Sequence, residues 1–246
     1  MKKTTYLVLG SICLSTLLWA PSAVQAADGG VYDSNGQIIF EPSTEPVNPV
    51  DPTDPEKPVT PVDPTDPEKP VNPGTNGPLS IDYASSLDFG TQKITSKNET
   101  YTAKTQKYKD QSGNTKEGPN FVQVSDARGT EKGWKLTVKQ NGQFKSESAK
   151  ELTGAQVSFK NGTIVTASNS AKPTATASFE LQPTGAEATV TSAQEGQGAG
   201  TYLTAWGTDA TTGAESISLF VPGSTTKYAE KYSTTFTWTL SDVPGN

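Results

Sequence analysis

Gly133-Trp134-Lys135-Leu136-Thr137-Val138-Lys139-Gln140-Asn141-Gly142 decides the fold class of this chain. Trp134, Leu136 and Val138 alternate with Lys135, Thr137 and Lys139. Successive side chains of a strand point to opposite faces, so the three apolar residues share one face and the polar three the other. Asn141-Gly142 then reads as a tight turn. Near the C-terminus, Phe236-Thr237-Trp238-Thr239-Leu240 shows the same alternation.

Working outward, other short runs behave alike. Leu79, Ile81 and Tyr83 alternate with polar residues, and Phe121-Val122-Gln123-Val124 follows a Gly-Pro-Asn turn. Val157 and Phe159 precede Asn161-Gly162, with Ile164-Val165 after it, which reads as a hairpin. Phe179 and Leu181, Ala188 to Thr191, Tyr202 to Trp206, and Ile217 to Val221 complete the set. No window carries a convincing helical stripe. The expectation is an all-β, sandwich-like domain of antiparallel strands over residues 79–246, preceded by a disordered Pro-rich segment. Its 168 residues are enough to bury about 70% of the unfolded surface. Residues 91–120 are polar and weakly patterned. They read as a long excursion with an irregular hairpin around Tyr101 and Tyr108, either functional or a surface insertion.

Upstream the composition changes. From Glu41 to Pro78 there are twelve prolines and no aromatic residue, and from Pro46 to Pro73 every third residue is proline. PVDPTDPEKPVT, starting at Pro49, is followed by PVDPTDPEKPVN, starting at Pro61. A polyproline II helix has three residues per turn, so this period sets the prolines along one face of a rod rising about 3.1 Å per residue. Residues 27–78 are therefore expected to be a disordered spacer, with a ligand for a Pro-rich recognition module as the rival reading. Residues 1–26 read as a secretory signal: Lys2 and Lys3, an apolar stretch from Tyr6 to Trp19, then small residues up to Ala26. Cleavage there places the protein outside the cell.

Several chemistries fall away. Cys13, inside that signal, is the only cysteine, and there is no histidine. Disulfides, thiolate metal sites, Ser-His-Asp and Cys-His catalysis are excluded, and no metal or other cofactor is expected. A carboxylate-pair glycosidase or a Ser-Lys type would survive that test, but no signature of either is present. The formal charge of −6 argues against nucleic acid and against teichoic acid as purely electrostatic partners. It leaves neutral glycan or cationic peptide open. No membrane span is expected in the mature chain, and the C-terminus shows no LPxTG-type sorting signal.

The strand residues, taken together, resemble the WxL domain of Gram-positive surface proteins. The resemblance spans most of 79–246: Leu79-Ser80-Ile81-Asp82-Tyr83, Leu87-Asp88-Phe89-Gly90, Val124 to Gly129, Gly133 to Val138, Gly198-Ala199-Gly200-Thr201, Ser218 to Pro222, and Thr237-Trp238-Thr239-Leu240-Ser241-Asp242. Tyr202 stands where the family often has Trp. The resemblance implies a non-catalytic domain that holds a secreted protein non-covalently on the cell wall, with peptidoglycan as partner and other surface proteins as possible companions. The alternative is an adaptor or adhesin component that docks onto a partner surface protein. Trp134, Leu136, Trp238 and Leu240 are the candidate binding residues. Each has a second reading as core, because a Trp and a Leu on one strand face ordinarily fill an interior; the functional reading is an aromatic platform for sugar rings. Asp126 and Arg128, just before the first Trp, read as a surface ion pair or a contact for a peptide stem.

Overall fold

The strand readings hold best where the alternation is strictest. The computed structural model describes residues 29–243; the signal-peptide reading, Cys13 included, lies outside them. Trp134–Gln140 is one strand with every second residue buried, as the quoted stretch requires. It lies between Ala188–Ala193 and Phe236–Ser241, both antiparallel to it, and Thr174–Ala175 completes that four-stranded sheet. A second sheet orders Gly162–Val165, Gly200–Trp206, Phe121–Asp126 and Leu79–Ala84. A third orders Phe179–Leu181, Gln156–Phe159, Ile217–Val221 and Glu99–Thr102. All these ladders are antiparallel.

One core draws on all three sheets. It includes Val122 and Val124 from the second, Trp134, Leu136, Val138 and Val190 from the first, and Val157, Leu181 and Ile217 from the third. That is the layered, sandwich-like arrangement the alternation implies. The one helix among the described residues is a single turn, Ala210–Gly213, capped by Asp209 and Thr212.

Three expectations meet a different structure. The first is the Asn161-Gly162 hairpin. Gln156–Phe159 and Gly162–Val165 do not pair with each other; they belong to different sheets. Asn161 adopts a left-handed φ of 60°, and Gly162 lies so close to the Thr176 carbonyl that a Cβ would not fit. The turn is therefore a crossover between layers. The second is the polar excursion at 91–120. Glu99–Thr102, Gln106–Lys109 and Thr115–Gly118 are strands, and Gln106 and Tyr108 are fully buried. Their polar side chains hid the pattern because what they contact is itself polar.

The third concerns the spacer at 27–78. Residues 29–39 are exposed with no secondary structure, but from Phe40 onward the chain is one compact unit. Val50–Asp51 pairs with Asp54–Pro58, and Thr60–Pro61 pairs with Gln106–Lys109. Asp51 and Val59 are buried. Part of the proline-rich segment is thus a strap on the domain rather than a rod outside it. Proline has no N–H to give, so the residues between the prolines supply the bonds. Val50 N–H donates to Gln123 Oε1 at 2.8 Å, and Gln123 Nε2 donates to the Asn48 carbonyl at 3.1 Å. Val62 N–H donates to the Lys107 carbonyl at 2.8 Å, Gln106 Nε2 to the Val62 carbonyl at 2.8 Å, and Tyr108 Oη to Asp51 at 2.9 Å.

Candidate functional site

The two Trp-x-Leu stretches are neighbours in one sheet. Leu240 stands opposite Leu136, and Trp238 opposite Val138. Residues directly opposite in an antiparallel pair share a face, so Trp134, Leu136, Trp238 and Leu240 all point the same way, into the core. Trp134 is 1% exposed and Leu136 not at all. The Trp134 indole packs on Tyr202, with ring centroids 6.4 Å apart, and its Nε1 donates to the Gly198 carbonyl at 3.0 Å. Gly198 has a φ of 81°, and a Cβ there would sit 2.6 Å from that same Nε1. The Gly-rich turn is therefore the socket for the first Trp, and neither Trp134 nor Leu136 offers a surface to a ligand.

The ion pair before Trp134 is likewise internal, contrary to the surface reading. The Asp126 side chain is buried and that of Arg128 half-buried, 14% exposed. Arg128 Nε donates to Asp126 Oδ1 at 2.9 Å, Nη2 to Oδ2 at 2.7 Å, and Nη2 also to the Gly133 carbonyl at 2.8 Å. The hydrogen bonds that Arg128 donates to Asp126 raise its pKa against the opposing effect of burial. The pair staples the loop that delivers Trp134 to its strand.

Trp238 is placed differently. Phe236–Ser241 is the outer strand of its sheet, and Trp238 and Leu240 are only half-buried against the core. The Trp238 ring meets Trp206 at 6.0 Å, which in turn packs on Phe159 at 4.8 Å. One edge of Trp238 opens on a groove of about 570 Å³ between the last strand and the segments around 71–75 and 81–87. Of the four candidate residues, Trp238 alone lines it.

The remaining lining is hydroxyl-rich and acidic. Thr65, Ser85, Ser86, Thr234, Thr235 and Thr237 contribute hydroxyls, and Asp63 and Asp82 are the only carboxyl groups. Asp63 Oδ1 accepts from Thr65 N–H at 2.8 Å and Thr65 Oγ1 at 2.7 Å, and Oδ2 from Ser86 Oγ at 3.0 Å. Partial burial pushes its pKa up, but these donors outweigh it and the net shift is downward. Asp63 is therefore ionised at any ordinary pH. Asp82 lies deeper, 5% exposed, and accepts from Ser80 Oγ, Ser125 Oγ and Gln123 Nε2 at 2.7, 2.6 and 2.9 Å. Burial dominates there and raises the pKa despite those bonds. Both its oxygens are committed to the fold. This arrangement suits binding: an aromatic edge, hydroxyls and one ionised carboxylate.

Among the described residues no group of three His, Cys, Asp or Glu is placed to hold a metal ion, and no helix is long and apolar enough to cross a membrane. The groove was not foreseeable from the motifs. Asp63 sits in a repeat that reads as spacer, and only the fold brings it beside Trp238. A family model described as the WxL domain, surface cell wall-binding, matches residues 27–244. The chain belongs to the WxL family. The match begins well before residue 79, so the WxL unit takes in the proline strap as well as the strands. No curated protein and no solved structure matches the chain. Membership associates this WxL protein with attachment at the cell wall surface.

Proposed function

We propose that this WxL protein is exported by its N-terminal signal and held non-covalently on Gram-positive peptidoglycan, without catalysing a reaction. The observation that carries this reading is Trp238, half-buried at the mouth of the groove while Trp134 is enclosed. An indole anchored by the core on one side and open on the other is a rigid contact that costs little entropy to order. The domain then needs no covalent anchor. The test is co-sedimentation of the full chain with purified, protein-free sacculi. Binding that salt leaves and denaturant releases supports the reading. Zymography on the same sacculi should leave no zone of clearing.

A second reading, docking onto a partner surface protein, has its own observation. Val31, Tyr32, Ile38, Ile39 and Phe40 are each at least 74% exposed, a cluster of apolar side chains in an otherwise polar segment. On that reading bare sacculi stay unoccupied, and retention appears only when the partner protein is present.

A further inference from the structure

We propose that the Trp238 groove takes an extended peptide bearing a free amine, the stem of peptidoglycan rather than its glycan. This rests on the wall-binding reading above and goes on to assign the ligand class. Three observations converge on it.

The first is a free strand edge. Phe236–Ser241 pairs only with Trp134–Gln140. Asn141 N–H donates to the Thr235 carbonyl at 2.9 Å, which sets the phase of the ladder. Hydrogen-bonded pairs recur at every second residue, so Thr235, Thr237 and Thr239 bond inward. Phe236, Trp238 and Leu240 therefore turn their N–H and C=O groups outward, and among the described residues nothing pairs with them. An unpaired edge is a template for an added chain in extended conformation.

The second is the groove itself, which lies along this edge. A peptide added there would place alternate side chains in it, against Trp238 and Phe236. A glycan has no amide spacing to match the edge.

The third is charge. Asp63 and Asp82 are the only carboxyl groups in the lining, with no Lys or Arg among them. Asp63 is held ionised by hydroxyl and amide donors, and among the described residues no cation forms a salt bridge with it. Asp63 thus stands at a strand edge as an uncompensated negative charge. The complementary occupant is an extended peptide with an ammonium group, such as a stem whose diamino residue is not cross-linked.

The experiment is co-sedimentation of the full chain with protein-free sacculi in three forms: untreated, N-acetylated with acetic anhydride, and stripped of stems by an amidase. Acetylation should weaken wild-type binding about tenfold, the worth of one charge-assisted hydrogen bond. Asp63→Asn should bind untreated sacculi as weakly as the wild type binds acetylated ones, and acetylation should not weaken it further. Asp66→Asn, which alters a carboxylate outside the groove, should match the wild type. Equal wild-type binding to untreated and acetylated sacculi overturns the amine assignment. Undiminished binding to stem-free glycan overturns the peptide assignment and favours sugar stacking on Trp238. Either result leaves wall attachment standing, whereas no binding to untreated sacculi removes the parent reading. The wild-type arms decide without any variant, so a misfolded Asp63→Asn costs nothing. Thr235→Lys, which brings a cation to the exposed rim, should repeat the loss.

Discussion

Replacing Gln123 with leucine tests whether the proline strap belongs to the domain. Gln123 is fully buried on the central strand Phe121–Asp126. Its amide makes three contacts: Oε1 accepts from Val50 N–H, and Nε2 donates to the Asn48 carbonyl and to Asp82 Oδ2. Leucine fits the space but answers none of them. Asp82 keeps its bonds from Ser80 and Ser125, so the cost concentrates on the strap. A buried polar group left unpaired costs about 1–3 kcal/mol; Val50 is half-buried and Asn48 exposed, so the cost falls mainly on the Val50 N–H. The strap can limit that cost by peeling off and returning Val50 and Asn48 to water. It then forfeits the Tyr108–Asp51 bond and the burial of Val59. The expected loss from Gln123→Leu is about 1–3 kcal/mol in urea unfolding. Amide exchange should also accelerate at Val50 and Val59, and a Glu-specific protease should cut at Glu56. A loss below about 0.5 kcal/mol, with exchange at both valines unchanged, would mean the amide does not hold the strap, and residues 46–62 would revert to a spacer.

Other expectations follow from the same contacts. Trp134→Ala should cost about 3–5 kcal/mol in chemical unfolding, and Gly198→Ala should destabilise through the same socket, because its Cβ would strike the indole. Trp238→Ala should cost roughly half as much as Trp134→Ala, since only part of that ring is buried, and should leave a folded protein by circular dichroism that sediments poorly with sacculi; full retention would remove Trp238 from the binding surface. Arg128→Ala strands the buried Asp126 carboxylate and should cost about 3–5 kcal/mol, visible as a lower urea midpoint. Asp82 gives a pH signature. Its folded pKa is raised, so its stabilising contribution is complete below the unfolded value and is lost as pH rises through the folded one. Unfolding curves from pH 7 down to pH 4 should therefore show the wild type gaining on Asp82→Asn; a constant difference between the two would refute the assignment.

How much of this was legible in the sequence depended on what each side chain touches. Strands with an apolar face announce themselves, because a period of two in Trp134, Leu136 and Val138 has no other economical explanation. Gln106–Lys109 does not, because Gln106 buries its amide against the Val62 carbonyl and Tyr108 its hydroxyl against the Asp51 carboxylate. That partner can be found only once the chain is folded. Proline spacing misled for a related reason. A period of three describes the backbone conformation, which is compatible both with a solvated rod and with a strand edge. The choice between them lies in Gln123, far away in sequence. The Trp-x-Leu motifs were readable as strands and as core. That the two would be adjacent, with only the second reaching the surface, required the ladder register.

The repeat makes the point sharply, because one peptide occurs in two settings. Both copies fold the same local turn: Asp51 Oδ1 accepts from Thr53 N–H and Oγ1, and Asp63 Oδ1 accepts from Thr65 in the same way. Both close it with an ion pair three residues apart, Asp54 with Lys57 and Asp66 with Lys69. Beyond that the copies diverge. Asp51 is buried under Tyr108, whereas Asp63 stays at the surface under Ser86 and lines the groove. The dodecapeptide therefore encodes a turn and nothing more. Burial of the first copy and exposure of the second are set by what the domain offers each of them: Gln123 and Tyr108 enclose one, and a hydroxyl at the groove rim leaves the other charged and open. Duplicating the segment gave the domain a structural strap and a wall for its groove from two copies that differ only at Thr60 and Asn72, and the difference between those roles rests on the side chains that receive them.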